Sequence, residues 1–559
     1  MLTPRLLLPV ASLLVASLLV ASLLASAATL RADEDLGPVA HWPLATDARD
    51  SSANRIDAFN HGVEFKADGS DGALAATFNG RGAHLEVQDV AQLQLGDKDF
   101  SIALWVNANS ASGGDPGDLI TMYDEQQRTG FNLSLRTSTG VTNSTANVRQ
   151  LQFGIDNGSE PKWTDEGRPG NAILAFALAV HDGNLYAGVG DNVPGAVGRV
   201  YRFDGAGKWI DCGAPDQSNA VMSLCSHDGE LYAASGRYRF AGSSLTESDN
   251  AHLGGGVFRY DGGAKWTEVG RLPGVEAVGG MVAFNGRLYA SSLYKPAGFF
   301  RYESPGVWTA LPVPDGKRVV SLAVFDDHLW AGSYDEGRVF RYNGEKWEDL
   351  GLLDDNTQTY SFAVHHGELC VGTWPSGRVY RWHDGRWQDL GRFGEELEVM
   401  GMLVHNGKFY GGSLPLGAVY RYDGNGQWTK TAQLDVTPDV KYRRVWTMAQ
   451  FDGRLFCSTL PSGHIHALEA GPCVTYDQEL PAGWQHVAAV KRGNVLELYV
   501  NGQRVAASRL FDPAKFNLAS APPLQIGAGP GGNFHGELRD VHLYRRALSD
   551  KEIADLASP

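Results

Sequence analysis

The stretch Arg338–Trp347 reads RVFRYNGEKW, and Arg378–Trp387 reads RVYRWHDGRW. Related copies are Arg199–Trp209 (RVYRFDGAGKW), Val257–Trp266 (VFRYDGGAKW), Phe299–Trp308 (FFRYESPGVW) and Ala418–Trp428 (AVYRYDGNGQW). Upstream of each lies a second element, such as LAVHDGNLYAG from Leu178 or LAVFDDHLWAG from Leu322, with others beginning near Leu224, Met281, Phe362, Met402 and Met448. Asp-Gly or Asn-Gly between alternating apolar runs signals a two-residue hairpin, because both central positions need positive φ. One unit is therefore four short antiparallel strands in about 40 residues, the signature of a β-propeller blade.

The count is seven. The seventh inner element, around Phe451–Leu455, is followed by no Trp strand, whereas Ser159–Trp163 precedes the first. The terminal tryptophans are then Trp163, Trp209, Trp266, Trp308, Trp347, Trp387 and Trp428. An N-terminal strand that completes the last blade would close the ring and remove its exposed edges. One position in each inner strand is always small: Ala177, Ser223, Gly280, Ser321, Ser361, Gly401 and Thr447. Seven strands converging on an axis leave little room there, which predicts a narrow channel. The R-Y/W-D-G…W rhythm resembles kelch repeats, although the double glycine of that family is mostly missing.

The flanks read as two halves of one further domain. The first carries VAHWPLATDARDSSANRIDAFNHG from Val39, ATFNGRGAHLEV from Ala76 and FSIALWVNANSA from Phe100. The second carries GWQHVAAVKRGNVLELYVNGQRV from Gly483 and HGELRDVHLYRRALSDKEIADL from His535. In this order they resemble the laminin-G-like, concanavalin A-type jelly roll also seen in pentraxins. Neither half has enough strands for a two-sheet sandwich. The expected organisation is a leader over 1–28, sandwich over 30–156, propeller over 157–469, and sandwich again over 470–559. Such an insertion needs the guest's ends close together, which closure by strand exchange supplies.

Arg5, the apolar run Leu6–Leu24 and Ala25-Ser26-Ala27 read as a secretory signal, or as an anchor if retained. Either places the rest of the chain outside the cytoplasm: secreted, periplasmic or on the cell surface. A formal charge of −16 with no basic stripe argues against nucleic acid as partner. Cys212, Cys225, Cys370, Cys457 and Cys473 match no zinc spacing and read as small buried hydrophobes.

No H-E-x-x-H, G-x-S-x-G, P-loop or carboxylate-rich glycosidase strand is present. Asp423–Trp428 (DGNGQW) only loosely resembles the Asp-box of sialidases, and a hairpin turn explains it. His365-His366 sit at a hairpin turn, and His464 and His466 alternate along a strand. The jelly-roll resemblance makes Ca2+ a plausible cofactor. The loop that supplies its ligands in pentraxins corresponds to Gly527–Gly532, which has no carboxylate here, leaving Asp47, Asp50 and Asp540 as candidates.

Binding is the better prospect. Loops between hairpins and loops leading into inner strands gather on one face of a propeller. They place Tyr294, Arg318, Tyr334, Tyr360, Trp374, Glu396, Arg444 and Trp446 around one mouth, and the insertion Gly236–Gly256 beside them. Aromatic faces with Arg and carboxylate rims suit sugar or peptide recognition. The expected function is exported, non-catalytic binding of carbohydrate or glycoconjugate through the mouth, the lectin-like sandwich, or both. The alternatives are a sialidase-like glycoside hydrolase or lyase working in the mouth, and a scaffold for another cell-envelope protein.

Overall fold

A computed structural model describes residues 37–558 apart from 68–71, 73, 89–92, 94, 110 and 519–521. The leader expected over 1–28 lies outside the described residues.

Each repeat folds as a four-stranded antiparallel blade. In the fifth, Gln358–His365, Glu368–Trp374, Arg378–His383 and Arg386–Arg392 pair in sequence order. The inner turns take the positive φ that their residues imply, as at Asp182 (45°), Asn406 (44°) and Asp452 (51°), each followed by a glycine of positive φ. The last blade consists of Arg444–Phe451, Arg454–Leu460 and Ile465–Glu469. Its fourth strand is Lys162–Asp165, with Trp163 opposite Leu468. The inner strand Leu174–His181 of the first blade lies against Arg444–Phe451 of the last, so the ring is closed.

The repeated tryptophan has a specific task. The indole N–H of Trp209, Trp266, Trp308, Trp347, Trp387 and Trp428 donates to the carbonyl of Glu166, Cys212, Val269, Pro312, Leu350 and Leu390 respectively, each in the preceding blade. One residue type therefore joins neighbouring blades, which fixes its place in the repeat.

The flanks interleave in two sheets. In the first, His535–Tyr544 runs between Leu74–Asn79 and Phe100–Ala108, and Gln485–Arg492 pairs with the latter's other edge. In the second, Gly117–Asp124, Thr129–Ser138 and Asn147–Asn157 lie in order, and Cys473–Tyr476 pairs with the last of them. Phe100 of the first sheet meets Phe131 and Phe153 of the second, with ring centroids 5.6 and 5.9 Å apart. That contact centres the core.

These three long strands of the second sheet, Gly117–Asp124, Thr129–Ser138 and Asn147–Asn157, are buried on both faces. Their core face carries Phe131, Leu133, Phe153 and Ile155; their outer face carries Asn132, Ser134, Gln150, Gln152 and Asp156, also buried. The propeller covers this polar face with its inner turns. Asn406 donates to the carbonyls of Ile155 (3.2 Å) and Ala470 (2.8 Å) and accepts from Asn132 (2.9 Å). The Gln450 carbonyl accepts from Asn147 and Gln150.

The axial channel is filled from the same side. The loop between Thr129–Ser138 and Asn147–Asn157 enters it. Ser223 donates to the Asn143 carbonyl, Ser321 to that of Thr142, Ser361 to that of Gly140 (3.3 Å) and Thr447 to that of Val141 (3.1 Å). Main-chain N–H groups of Phe362 and Met281 donate to Gly140 (2.9 Å) and Asn143 (3.4 Å). The small residues thus make room for a plug, and four of them also satisfy its carbonyls, which would be costly to bury unpaired. All five cysteines are free and buried.

Candidate functional site: the open end of the propeller

With the inner turns docked on the sandwich, the opposite end of the ring is left facing solvent. There the inner strands begin. Residues one and three places before the small residue share a face and point to the axis. One place before stand Phe176, Met222, Gly279, Val320, Tyr360, Met400 and Trp446; three places before stand Leu174, Ala220, Ala277, Arg318, Gln358, Glu398 and Arg444. Blades one to three therefore present an apolar side and blades four to seven a polar one.

The apolar side is filled by the insertion after the second blade's Glu230–Gly236 strand. Tyr238 packs edge-on to Phe176 (4.7 Å), Phe240 (5.1 Å) and Trp446 (6.2 Å), and its main chain is clamped by Asn219. Tyr294, Tyr334, Tyr360, Trp374 and Trp446 all belong to this apolar cluster, with Tyr334 and Tyr360 4.9 Å apart.

On the polar side Glu398 faces Arg444, Oε2 to Nε 3.6 Å, too long for a hydrogen bond. Both side chains are buried. Neither oxygen of Glu398 has a hydrogen-bond partner, nor do Nε and Nη1 of Arg444 or Nε1 of Trp446. Burial pushes the Glu398 carboxyl up from its ordinary range, with Arg444 opposing. Burial likewise pushes the Tyr334 and Tyr360 hydroxyls well up, reinforced by the Glu398 charge. Five buried polar atoms on three neighbouring side chains thus lack hydrogen-bond partners, and an unmet group of this kind costs roughly 1–3 kcal/mol.

Of the residues expected at the mouth, Tyr334, Tyr360, Arg444 and Trp446 meet there. Arg318 stands on the rim in a forked pair with Asp335 (2.8 and 3.1 Å) and donates to the carbonyls of Tyr334 and Leu293. Although burial acts against it, that fork holds Asp335 below its usual range. Tyr294 lies under Arg239 (4.4 Å) and accepts from its N–H. Trp374 is half-buried beside Tyr442. Glu396 is engaged elsewhere, accepting from the Leu416 N–H (3.1 Å) and the Tyr420 hydroxyl (3.3 Å). Glu398, which sequence reasoning passed over, takes the central place. Counting back three from Gly401 would have found it.

The sandwich carboxylates do not converge. Asp50 accepts from the N–H groups of His41, Ser52 and Ile56 and from the Ser52 hydroxyl. Asp47 caps Arg49 at the surface, and Asp540 leans on His41 at 3.4 Å. Gly531 and Gly532 donate their N–H groups to Asp118 (2.6 and 3.1 Å), and a Cβ on Gly531 would overlap the Arg136 guanidinium. That glycine-rich loop is shaped by packing under the fifth blade.

Residues 458–554 match the concanavalin A-like lectin/glucanases superfamily. No curated protein matches the sequence significantly. Among solved structures, an inactive variant of virginiamycin B lyase from Staphylococcus aureus, with quinupristin, is 14% identical; the similarity covers 55% of this chain and 99% of that one, with a TM-score of 0.44. The WD40 propeller domain of Doa1 is 13% identical, covering 55% and 97%, with a TM-score of 0.40. The sandwich is thus concanavalin A-like, and the ring set into it is a seven-bladed β-propeller by its own strand pairing.

Proposed function

We propose that this is an exported, non-catalytic binding protein that takes a carbohydrate or glycoconjugate in the propeller mouth. The observation that carries the reading is the set of unpartnered buried atoms on Glu398, Arg444 and Trp446. It includes both acceptors and donors, and sugar hydroxyls supply both. The walls are aromatic, which suits the apolar faces of a pyranose. The propeller covers the outer face of Gly117–Asp124, Thr129–Ser138 and Asn147–Asn157, so that part of the sandwich is closed to a glycan. Export rests on the Arg5–Ala27 segment; among the described residues no helix is long and apolar enough to cross a membrane.

A second reading follows from the raised pKa of Glu398, which suits a general acid in a lyase or hydrolase. Against a two-carboxylate glycosidase, the neighbouring Asp335 and Glu396 are each committed to protein donors. A glycan array on the secreted chain tests the main reading, with Glu398→Gln and Tyr360→Ala as controls. Retention of a glycan by the wild type and its loss in both variants is expected. A folded wild type that retains none breaks the proposal, and turnover of a retained glycan transfers it to the second reading.

A further inference from the structure

The seam between the two domains holds a different kind of cluster. Glu125 stands on the turn between Gly117–Asp124 and Thr129–Ser138 of the sandwich, while His365 ends the inner strand of the fifth blade and His366 follows in its turn. His366 Nε2 lies 2.7 Å from one oxygen of Glu125, and His365 Nε2 lies 3.8 Å from the other. All three ligand atoms fall within 4.8 Å of one another. A tetrahedral ion with Zn–N and Zn–O bonds of about 2.0–2.2 Å sets its ligands roughly 3.4 Å apart, so the 2.7 and 3.8 Å separations here need shifts of under 1 Å to receive one. We propose that Glu125, His365 and His366 bind one divalent transition ion, zinc by donor type, with water in the fourth position, and that the ion clamps the sandwich to the propeller.

The surroundings support a built site. The His365 ring stacks on Phe409 (4.9 Å, 21° between planes), which fixes its direction. His366 is held by its main-chain N–H, which donates to the Pro530 carbonyl at 3.1 Å. The nearby cations are neutralised: Arg136 by Asp115 (2.6 Å) and Arg381 by Glu368 (2.9 Å). His366 and Glu125 reach solvent, which gives the ion a way in. The comparable trio His61, His84 and Glu86 lies on the edge strand Phe59–His61 and its neighbour His84–Val87, where ring stacking at 4.5 Å accounts for the imidazoles.

Calorimetric titration of the metal-stripped full chain with Zn2+, paired with thermal melts, tests this. One ion per chain is expected, with a higher Tm on loading. His366→Ala, at an exposed position, and Glu125→Gln should each weaken binding at least tenfold and remove the Tm rise while the metal-free melt stays unchanged. The absence of stoichiometric binding by the wild type overturns the proposal. So does binding that survives both variants or disappears instead in His84→Ala.

Discussion

Two buried ion pairs stand at opposite ends of the same ring, and they are finished differently. At the sandwich end Lys408 pairs with Asp156. Asp156 also accepts from the Tyr123 hydroxyl (3.0 Å) and the N–H groups of Asn157 (2.8 Å) and Gly158 (3.2 Å), and Lys408 donates further to the Ala470 carbonyl (3.0 Å). At the mouth Arg444 and Glu398 approach only to 3.6 Å and leave four atoms unmet. Burial of a charge is tolerable when every lone pair and proton is satisfied. The first pair meets that condition and holds two domains together. The second does not, and that difference is the ground for the binding proposed at the mouth.

The largest effect should come from breaking the satisfied pair. Lys408→Met leaves Asp156 buried without its cation and should cost about 4 kcal/mol in urea unfolding. Asp156→Asn combined with Lys408→Met should recover much of it, because no lone charge remains. A single variant as stable as the wild type would erase the distinction between the two ends.

The next effect is one of pH. His405 is fully buried beside Gln450 (2.8 Å), and burial lowers its pKa to about 4. Its unfolded value is near 6.5, so its contribution is present above pH 6.5 and is lost as the pH falls towards 4. This amounts to about 3 kcal/mol. Burial lowers His486 and His542 of the sandwich to about 4 as well, so both domains weaken over the same window. Glu398 carries the opposite sign. Its raised pKa gives most stability below pH 4.5, and that is lost as the pH rises through the folded value. Urea midpoints at pH 7 and 4.5 for wild type and His405→Gln read the first effect, and equal slopes would contradict it.

A smaller effect belongs to the small residue of the sixth inner strand. A Cβ at Gly401 would lie 2.8 Å from the Thr447 Cα and 3.0 Å from the Trp446 carbonyl, both backbone atoms. Gly401→Val should therefore cost about 2 kcal/mol by crowding the neighbouring inner strand. A neutral substitution would mean that the sixth and seventh inner strands can part to admit the side chain.

These particulars also show what could be read in advance. The seven blades, the closing strand at Trp163 and the face bearing the mouth follow from local rules: hairpin turns, alternation and a count of tryptophans. The plug does not. Its segment, Gly140–Ala146, is short, polar and small, as any loop is, and its partners lie some 80 to 300 residues away in sequence. The choice between Glu396 and Glu398 turned on register, since two residues of offset separate a carboxylate tied to Leu416 from one aimed down the axis. The small residue in each strand held that register, and using it as a ruler would have placed Glu398.

The smallest stability effect is the sharpest test of the comparison. Trp446 is almost fully buried, its ring touches Phe176 and Tyr238, and its Nε1 has no partner. Trp446→Phe keeps an aromatic ring in contact and removes the unmet donor. The ring's lost area costs stability, while loss of an unpaired buried N–H returns about 1 kcal/mol or more, so the net change in urea should lie within about 1 kcal/mol of zero. Binding should respond in the other sense. If that N–H completes its hydrogen bond on a ligand, affinity should fall about tenfold, equivalent to about 1.4 kcal/mol. The same trade at a satisfied indole, Trp428→Phe, removes a 2.9 Å bond to the Leu390 carbonyl and should lower stability while leaving affinity untouched. Two tryptophans that lost stability equally and affinity equally would show that the unmet groups at the mouth are a packing accident, and the ring would then need another explanation for its open end.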